Sequence, residues 1–245
     1  MSDRTAHFQT NAAGYAAGRP TYPPQLASVL ATFSPDRKLA VDVGAGSGQL
    51  TAQLANHFDR VIGVDVSQAQ LSKAPANPRI EWKLGDASNL PVTDGSASLV
   101  VAAQAAHWFD LPAFYAEARR VARPGALLAL ITYGPAQVDG VLADRFAQFY
   151  STKIRPFWPA ERSHVETAYR DLPFPFARLA MPPLSIDVTW PLARFLVYIN
   201  SWSAARAPGA DAVIAAFQDD ALAVLDEEAE VTVHFPLTVI AGRLA

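Results

Sequence analysis

Leu39-Ala40-Val41-Asp42-Val43-Gly44-Ala45-Gly46-Ser47-Gly48 reads as a buried strand that carries an acid and turns through three glycines. The strand part is apolar and β-branched, as a parallel strand covered on both faces must be. The glycines let the backbone bend sharply and come close to a ligand. Gln49 to His57 has helical composition, so a helix N-terminus opens onto the same space. Nucleotide-type cofactors bind in that arrangement, at the carboxyl ends of central strands.

The glycine spacing bears on which cofactor. A dinucleotide fingerprint is G-x-G-x-x-G. Here the third place of that pattern is Gln49, and the glycines run G-x-G-x-G. Two residues before the first glycine stands Asp42, where a dinucleotide fold carries an apolar side chain. A pyrophosphate would meet that negative charge, whereas a ligand with an amine and a sulfonium would be drawn to it. There is no G-K-[ST], which opposes a triphosphate loop. The acid, the glycines and the missing phosphate features together fit S-adenosyl-L-methionine.

Two more acids follow. Arg60 to Ser67 reads as a second strand ending on Asp65, at the spacing where an acid takes ribose hydroxyls. Ser67 suits the N-cap of a helix starting at Gln68. Ile80 to Ala87 reads as a third strand with Asp86 just past Gly85, placed to accept from an adenine amino group. One acid after a strand is commonly a cap or a solvated loop residue; three after successive strands, behind one glycine turn, form a pattern.

On these residues the chain resembles the class I S-adenosylmethionine-dependent methyltransferases, over about residues 38 to 133. Tyr15-Ala16-Ala17-Gly18-Arg19-Pro20-Thr21-Tyr22-Pro23 and Gln104-Ala105-Ala106-His107-Trp108-Phe109-Asp110 further resemble the small-molecule branch that includes the trans-aconitate carboxyl methyltransferases. The resemblance implies a doubly wound α/β sheet of seven mostly parallel strands, ordered 3-2-1-4-5-7-6, with helices on both faces. It also implies a cofactor set of Tyr15, Arg19, Asp42, Gly44, Ala45, Gly46, Gly48, Asp65, Val66, Asp86, Ala87 and Gln104. Arg19 would pair with the methionine carboxylate, Tyr15 and Tyr22 would close over the cofactor, and Gln104 would touch its methionine part.

The 245 residues suit one α/β domain with an elaborated cap, and 51% apolar residues supply a sizeable core. A net charge of −3 opposes nucleic acid as a partner. Without cysteine there are no disulfides or thiolate zinc sites. The first residues lack a secretory pattern and no apolar run reaches membrane-spanning length, so a cytoplasmic protein with a small-molecule acceptor is expected.

The expected order is an N-terminal arm (1–24) and a helix over 25–33, then strands at 39–43, 61–65, 80–84, 97–102 and 126–133. Helices fall between them, with a stop at Arg123-Pro124-Gly125. Residues 135–183 are rich in proline and aromatics and read as an irregular cap over the acceptor site, with one helix near 138–152. A strand at 184–189, helices at 191–201 and 211–225 and a last strand at 230–241 complete the chain.

Methyl transfer from a sulfonium is an in-line displacement that needs alignment and exclusion of water, and no metal. An ionised carboxylate acceptor needs no base. His107 and Trp108 are the candidate catalytic residues. His107 can donate to an acceptor carboxylate, act as base for a hydroxyl, or pin its own loop. Trp108 can wall the acceptor pocket or belong to the core. Lys153, Arg155 and Arg162 on the cap can draw an acidic acceptor or be solvated. The leading expectation is methylation of a carboxylate oxygen. A carbon methyltransferase of the quinone-biosynthesis kind and a non-catalytic cofactor-binding protein are its rivals; Asp42 and Gln49 oppose a nicotinamide enzyme.

Overall fold

The computed structural model describes residues 20–244. Strands β1 (Leu39–Val43), β2 (Arg60–Asp65), β3 (Ile80–Leu84), β4 (Ala97–Ala103) and β5 (Ala122–Tyr133) pair in parallel in the order 3-2-1-4-5. The final strand β8 (Glu230–Arg243) runs antiparallel to β5. Its other edge carries β7 (Leu184–Pro191), also antiparallel.

The two-residue β6 (Gln137–Val138) makes the sheet eight-stranded rather than seven. His234 and Val233 pair with β6 on one side and with β7 on the other. Leu237 likewise pairs with both Tyr133 and Leu184. β6 therefore continues the edge that β5 begins, and the long strands follow 3-2-1-4-5-8-7, the topology that the family resemblance implied.

Period-two alternation divides the side chains between two cores. Ala40, Leu99, Val101, Leu127, Ala129 and Ile131 enter one, and Leu39, Val41, Val100, Ala102, Leu128 and Leu130 enter the other. Helix α1 (Pro24–Phe33) starts with proline at its first position and buries Leu26, Ala27, Leu30 and Ala31 in the first core. The short helices α2 (Gln49–Leu54) and α3 (Gln68–Leu71) follow β1 and β2. Helix α4 (Leu111–Val121), capped by Asp110 Oδ1 accepting from Ala113 N at 3.2 Å, buries Phe114, Tyr115 and Ala118 in the second core.

The expected stop at Arg123-Pro124-Gly125 is instead an irregularity inside β5, where pairing with β4 slips between Ala97 and Leu99. The missing N–H of Pro124 and the left-handed Gly125 fall at that slip, where a bulge absorbs them.

The segment 135–183 holds more than one helix. A 3₁₀ turn (Gly140–Leu142), α5 (Ala143–Gln148) and a π turn (Phe149–Lys153) replace the single run expected, and α6 (Arg162–Glu166) follows. Phe146, Phe149 and Ile154 are buried in the first core, together with Phe195 of α7 (Leu192–Asn200), Trp202, and Phe217 of α8 (Ala210–Leu222). Phe149 stacks on Phe217 with centroids 4.3 Å apart. Val165, Tyr169 and Leu172 lie in the second core. The segment thus crosses from one face of the sheet to the other between residues 158 and 165.

Candidate functional site

A cavity of about 410 Å³ opens at the carboxyl ends of β1, β2 and β4. It is bounded by the glycine turn, Asp65 and Val66, Asp86 and Ala87, and the Gln104–Asp110 loop. Its size suits a small-molecule ligand.

Asp42 points its carboxylate under the turn and is 2% exposed. Oδ2 accepts from Thr51 Oγ1 at 2.6 Å, while Oδ1 has no partner. Burial raises its pKa to about 7; the Thr51 hydroxyl opposes that rise and the charge of Asp65 adds to it.

Asp65 ends β2 and uses both oxygens. Oδ2 accepts from Gly46 N at 2.7 Å and Oδ1 from Ser67 N at 2.8 Å. It ties the glycine turn of β1 to the start of α3, and burial still holds its pKa above the ordinary value. Ser67 caps α3 as expected, accepting from Gln70 N.

The three glycines of the turn all have positive φ. A Cβ on Gly44 would lie 2.5 Å from Ala105 Cβ, so the turn packs directly against the loop after β4. A Cβ on Gly46 would meet nothing within 4 Å. Gly44 and Gly46 therefore resist a side chain for different reasons: one is crowded by the protein's own atoms, the other has a left-handed backbone and faces the open cavity. Of the two, only Gly44 lacks room for a side chain.

Asp86 is exposed at the far rim, where Oδ1 accepts from Ser88 N and Oγ at 2.8 and 2.6 Å. Val66 lines the cavity with 42% of its surface free. Ala45, Gly46, Ala87 and Gln104 also line it, whereas Gly48 does not and backs onto Trp82. Tyr15 and Arg19 lie outside the described residues.

Trp108 lines the cavity. His107 does not; it lies on the 3₁₀ turn Ala106–Trp108, with Nδ1 2.6 Å from the Tyr169 hydroxyl. Burial, with smaller contributions from the charges of Arg162 and His164, lowers its pKa to about 3, so the ring is neutral. Its loop-pinning partner is a side chain rather than a backbone carbonyl. Of the three cap cations, Arg155 faces Glu166 at 3.9 Å and Lys153 is exposed. Arg162 lies over Trp158 at 4.4 Å and donates to the Tyr150 hydroxyl at 3.1 Å.

Sequence reading missed Tyr133, Phe109, Asp110 and Gln70 in the lining. Asp110 carries a legible signal, an acid just before the proline-initiated α4, but it reads as a cap and is one. Phe109 lies in the segment quoted after the fourth strand but carries no role of its own there, and Tyr133 and Gln70 belong to no motif.

The residues fit S-adenosylmethionine. Asp42 Oδ1 is a buried, unpartnered acceptor suited to an ammonium group, and Asp65 retains lone pairs beside the cavity for ribose hydroxyls. Bound there, the cofactor would supply an electrophilic methyl group. The open side of Gly46 and the apolar Val66 leave room for a flat base along the rim.

Residues 41–130 match the methyltransferase domain family. A Dictyostelium discoideum protein described as a methyltransferase is 32% identical over 202 residues, 80% of this chain and 76% of its own. A solved structure described as a type II methyltransferase from Anaeromyxobacter dehalogenans is 41% identical. It superimposes with a TM-score of 0.85 and covers 92% of this chain and 98% of its own. A malonyl-[acyl-carrier protein] O-methyltransferase of Hahella chejuensis is 40% identical over 98 residues, 38% of this chain and 35% of that protein. With these likenesses spanning the glycine turn and the sheet around it, the chain belongs to the class I S-adenosylmethionine-dependent methyltransferases.

Proposed function

We propose that the protein methylates a carboxylate oxygen of a small acidic molecule, with Asp42, Asp65, Val66, Asp86, Ala87, Gln104 and the glycine turn holding the cofactor. Tyr15 and Arg19 of the N-terminal arm would join that set. The observation that carries the acceptor reading is Arg162. Among the described residues it has no carboxylate within ion-pair distance, yet its charge reaches both His107 and Tyr169. The Trp158 ring beneath it holds a buried Nε1–H with no acceptor. A cation and a free donor side by side suit an anionic ligand.

The segment 135–183 would act as a cap over that acceptor, which reaches the methyl group past Trp108. An ionised carboxylate is already a nucleophile, so the chain's part is to align it and exclude water. With its pKa lowered to about 3, His107 is a weak base, in keeping with a reaction that needs none. The O-methyl transfer named for the Hahella relative supports the same atom as acceptor, on the shared core alone.

The test is methyl transfer from labelled cofactor to a panel of mono- and dicarboxylic acids. The expected product is a base-labile methyl ester, with turnover reduced in Arg162→Gln. A base-stable product would indicate carbon methylation. Tight cofactor binding with no turnover on acids, phenols or quinols would indicate a binding protein.

A further inference from the structure

Ser67-Gln68-Ala69-Gln70 has the spacing of a capping box. In a complete box the cap's hydroxyl accepts from the backbone N–H three residues on, and the side chain there accepts in turn from the backbone N–H of the cap. Only the first half is formed here. Ser67 Oγ accepts from Gln70 N at 3.3 Å. The return bond goes to a different acceptor, because Ser67 N donates to Asp65 Oδ1 at 2.8 Å. Asp65 thus stands where the Gln70 side chain would close the box. Among the described residues the Gln70 side-chain amide has no hydrogen-bond partner.

Gln70 is 6% exposed and lines the cavity together with Asp65, Val66, Gly85 and Asp86. Helical side chains lean toward the start of their helix, which brings that of Gln70 toward Ser67 and the end of β2. Neither amide atom is sealed off by protein, so the little surface that Gln70 keeps includes its amide. An amide so nearly buried and without a partner costs stability, and a ligand in the cavity is placed to supply what is missing. Gln104 is the contrast. It lines the same cavity, but its Nε2 donates to the Tyr133 carbonyl at 3.2 Å and its Oε1 accepts from Thr132 Oγ1 at 2.9 Å.

The chemistry beside Asp65 says which ligand group that is. An ionised carboxylate only accepts, so a ribose hydroxyl gives Asp65 its hydrogen and is left with lone pairs. The N–H groups of Gly46 and Ser67 are already spent on Asp65 and cannot meet them. Gln70 Nε2 carries two hydrogens that nothing in the described protein takes up. We propose that Gln70 is a cofactor-binding residue whose Nε2 donates to the oxygen of a ribose hydroxyl while that hydroxyl donates to Asp65. The pair then selects a diol, a group that both gives and takes hydrogen bonds. This rests on the assignment of Asp65 to the ribose.

Gln70→Met keeps the length of the side chain and removes no hydrogen bond within the described protein. Its melting temperature should equal or exceed that of wild type, whereas a merely structural role would lower it. Calorimetry with S-adenosylhomocysteine should show affinity weakened about three- to tenfold. The 2′-deoxy and 3′-deoxy analogues of S-adenosylhomocysteine then locate the contact. Toward one of them the loss in Gln70→Met should shrink to less than about twofold, because the hydroxyl that Gln70 meets is gone. Gln70→Leu is the second variant, with the same expectations. Unchanged affinity in either folded variant overturns the proposal. So does a loss of equal size toward both analogues, which would place the amide on the base. If neither deoxy analogue binds wild type more weakly, the ribose assignment of Asp65 fails as well. If an analogue weakens wild type and the variants alike, Asp65 keeps the ribose and Gln70 alone is removed from it.

Discussion

Asp42 and Asp65 end or nearly end adjacent parallel strands, and the charge of Asp65 helps keep a proton on Asp42. The two acids have different duties. Asp65 already holds two backbone N–H groups, whereas Asp42 has one oxygen with no partner.

This difference predicts a pH signature. With a folded pKa of about 7, Asp42 is partly protonated near neutrality, and an ammonium group arriving beside it favours the ionised form. Cofactor binding is therefore expected to strengthen as pH rises through 7 and to release about half a proton at pH 7. Calorimetry in buffers of different ionisation enthalpy measures that release, which Asp42→Asn removes. For stability of the unliganded protein the sign is opposite. A raised carboxyl pKa favours the fold below the unfolded value and loses that contribution as pH rises toward 7. Denaturant midpoints between pH 4 and pH 7 should fall less steeply in Asp42→Asn.

Asp65→Ala removes a charged acceptor at the cavity and releases the amides of Gly46 and Ser67 together. The loss of a charged hydrogen bond costs roughly 1.5–3 kcal/mol. Cofactor affinity should drop about ten- to hundredfold in calorimetry. An unchanged affinity in a folded variant would remove Asp65 from the cofactor site.

Gly44→Ala forces a methyl group into Ala105, a contact that costs roughly 1–3 kcal/mol of overpacking before any backbone strain. Melting temperature should fall, and Ala105→Gly in the same chain should recover part of the loss. Gly46→Ala should lose only what its left-handed backbone costs a side chain, less than Gly44→Ala, while reducing cofactor binding, because its side chain enters the cavity rather than the protein. Equal melting temperatures for Gly44→Ala and wild type would refute the packing part of this account.

His234 on β8 contacts Asp187 of β7 at 2.8 Å and Asp139 just after β6 at 2.9 Å. The Asp187 hydrogen bond, then that of Asp139, raises its pKa. The imidazolium stabilises the far edge of the sheet at pH values below the ordinary histidine range, and this is lost as pH rises through the raised folded value. His234→Gln should flatten the decline in stability on that alkaline side. A decline as steep as in wild type would show that the two carboxylates do not act through this ring.

The glycine-turn side of the cavity was legible because its signals are local. Asp42, Gly44, Gly46 and Asp65 sit at strand ends that alternation and glycine mark within a few residues. The rest depends on distance along the chain. Tyr169 meets His107 across 62 residues, and Thr132 sits inside β5, where a threonine is unremarkable as a strand former. Helix boundaries in the segment 138–157 were lost for another reason: a π turn and two 3₁₀ turns carry no 3.6-residue period to read. β6 is too short to show alternation at all.

The chain that passes from Phe146 and Phe149 on one face of the sheet to Val165 and Tyr169 on the other is riveted at both ends. Lifting it as a flap would withdraw large aromatic rings from two cores at once, at several kcal/mol for each ring exposed. Under the cap reading proposed above, ligand traffic passes beside this bridge, with its ends fixed. Turnover should consequently tolerate a crosslink that ties the bridge to the sheet. A crosslink that narrows the gap next to it should slow exchange at both ends of the catalytic cycle.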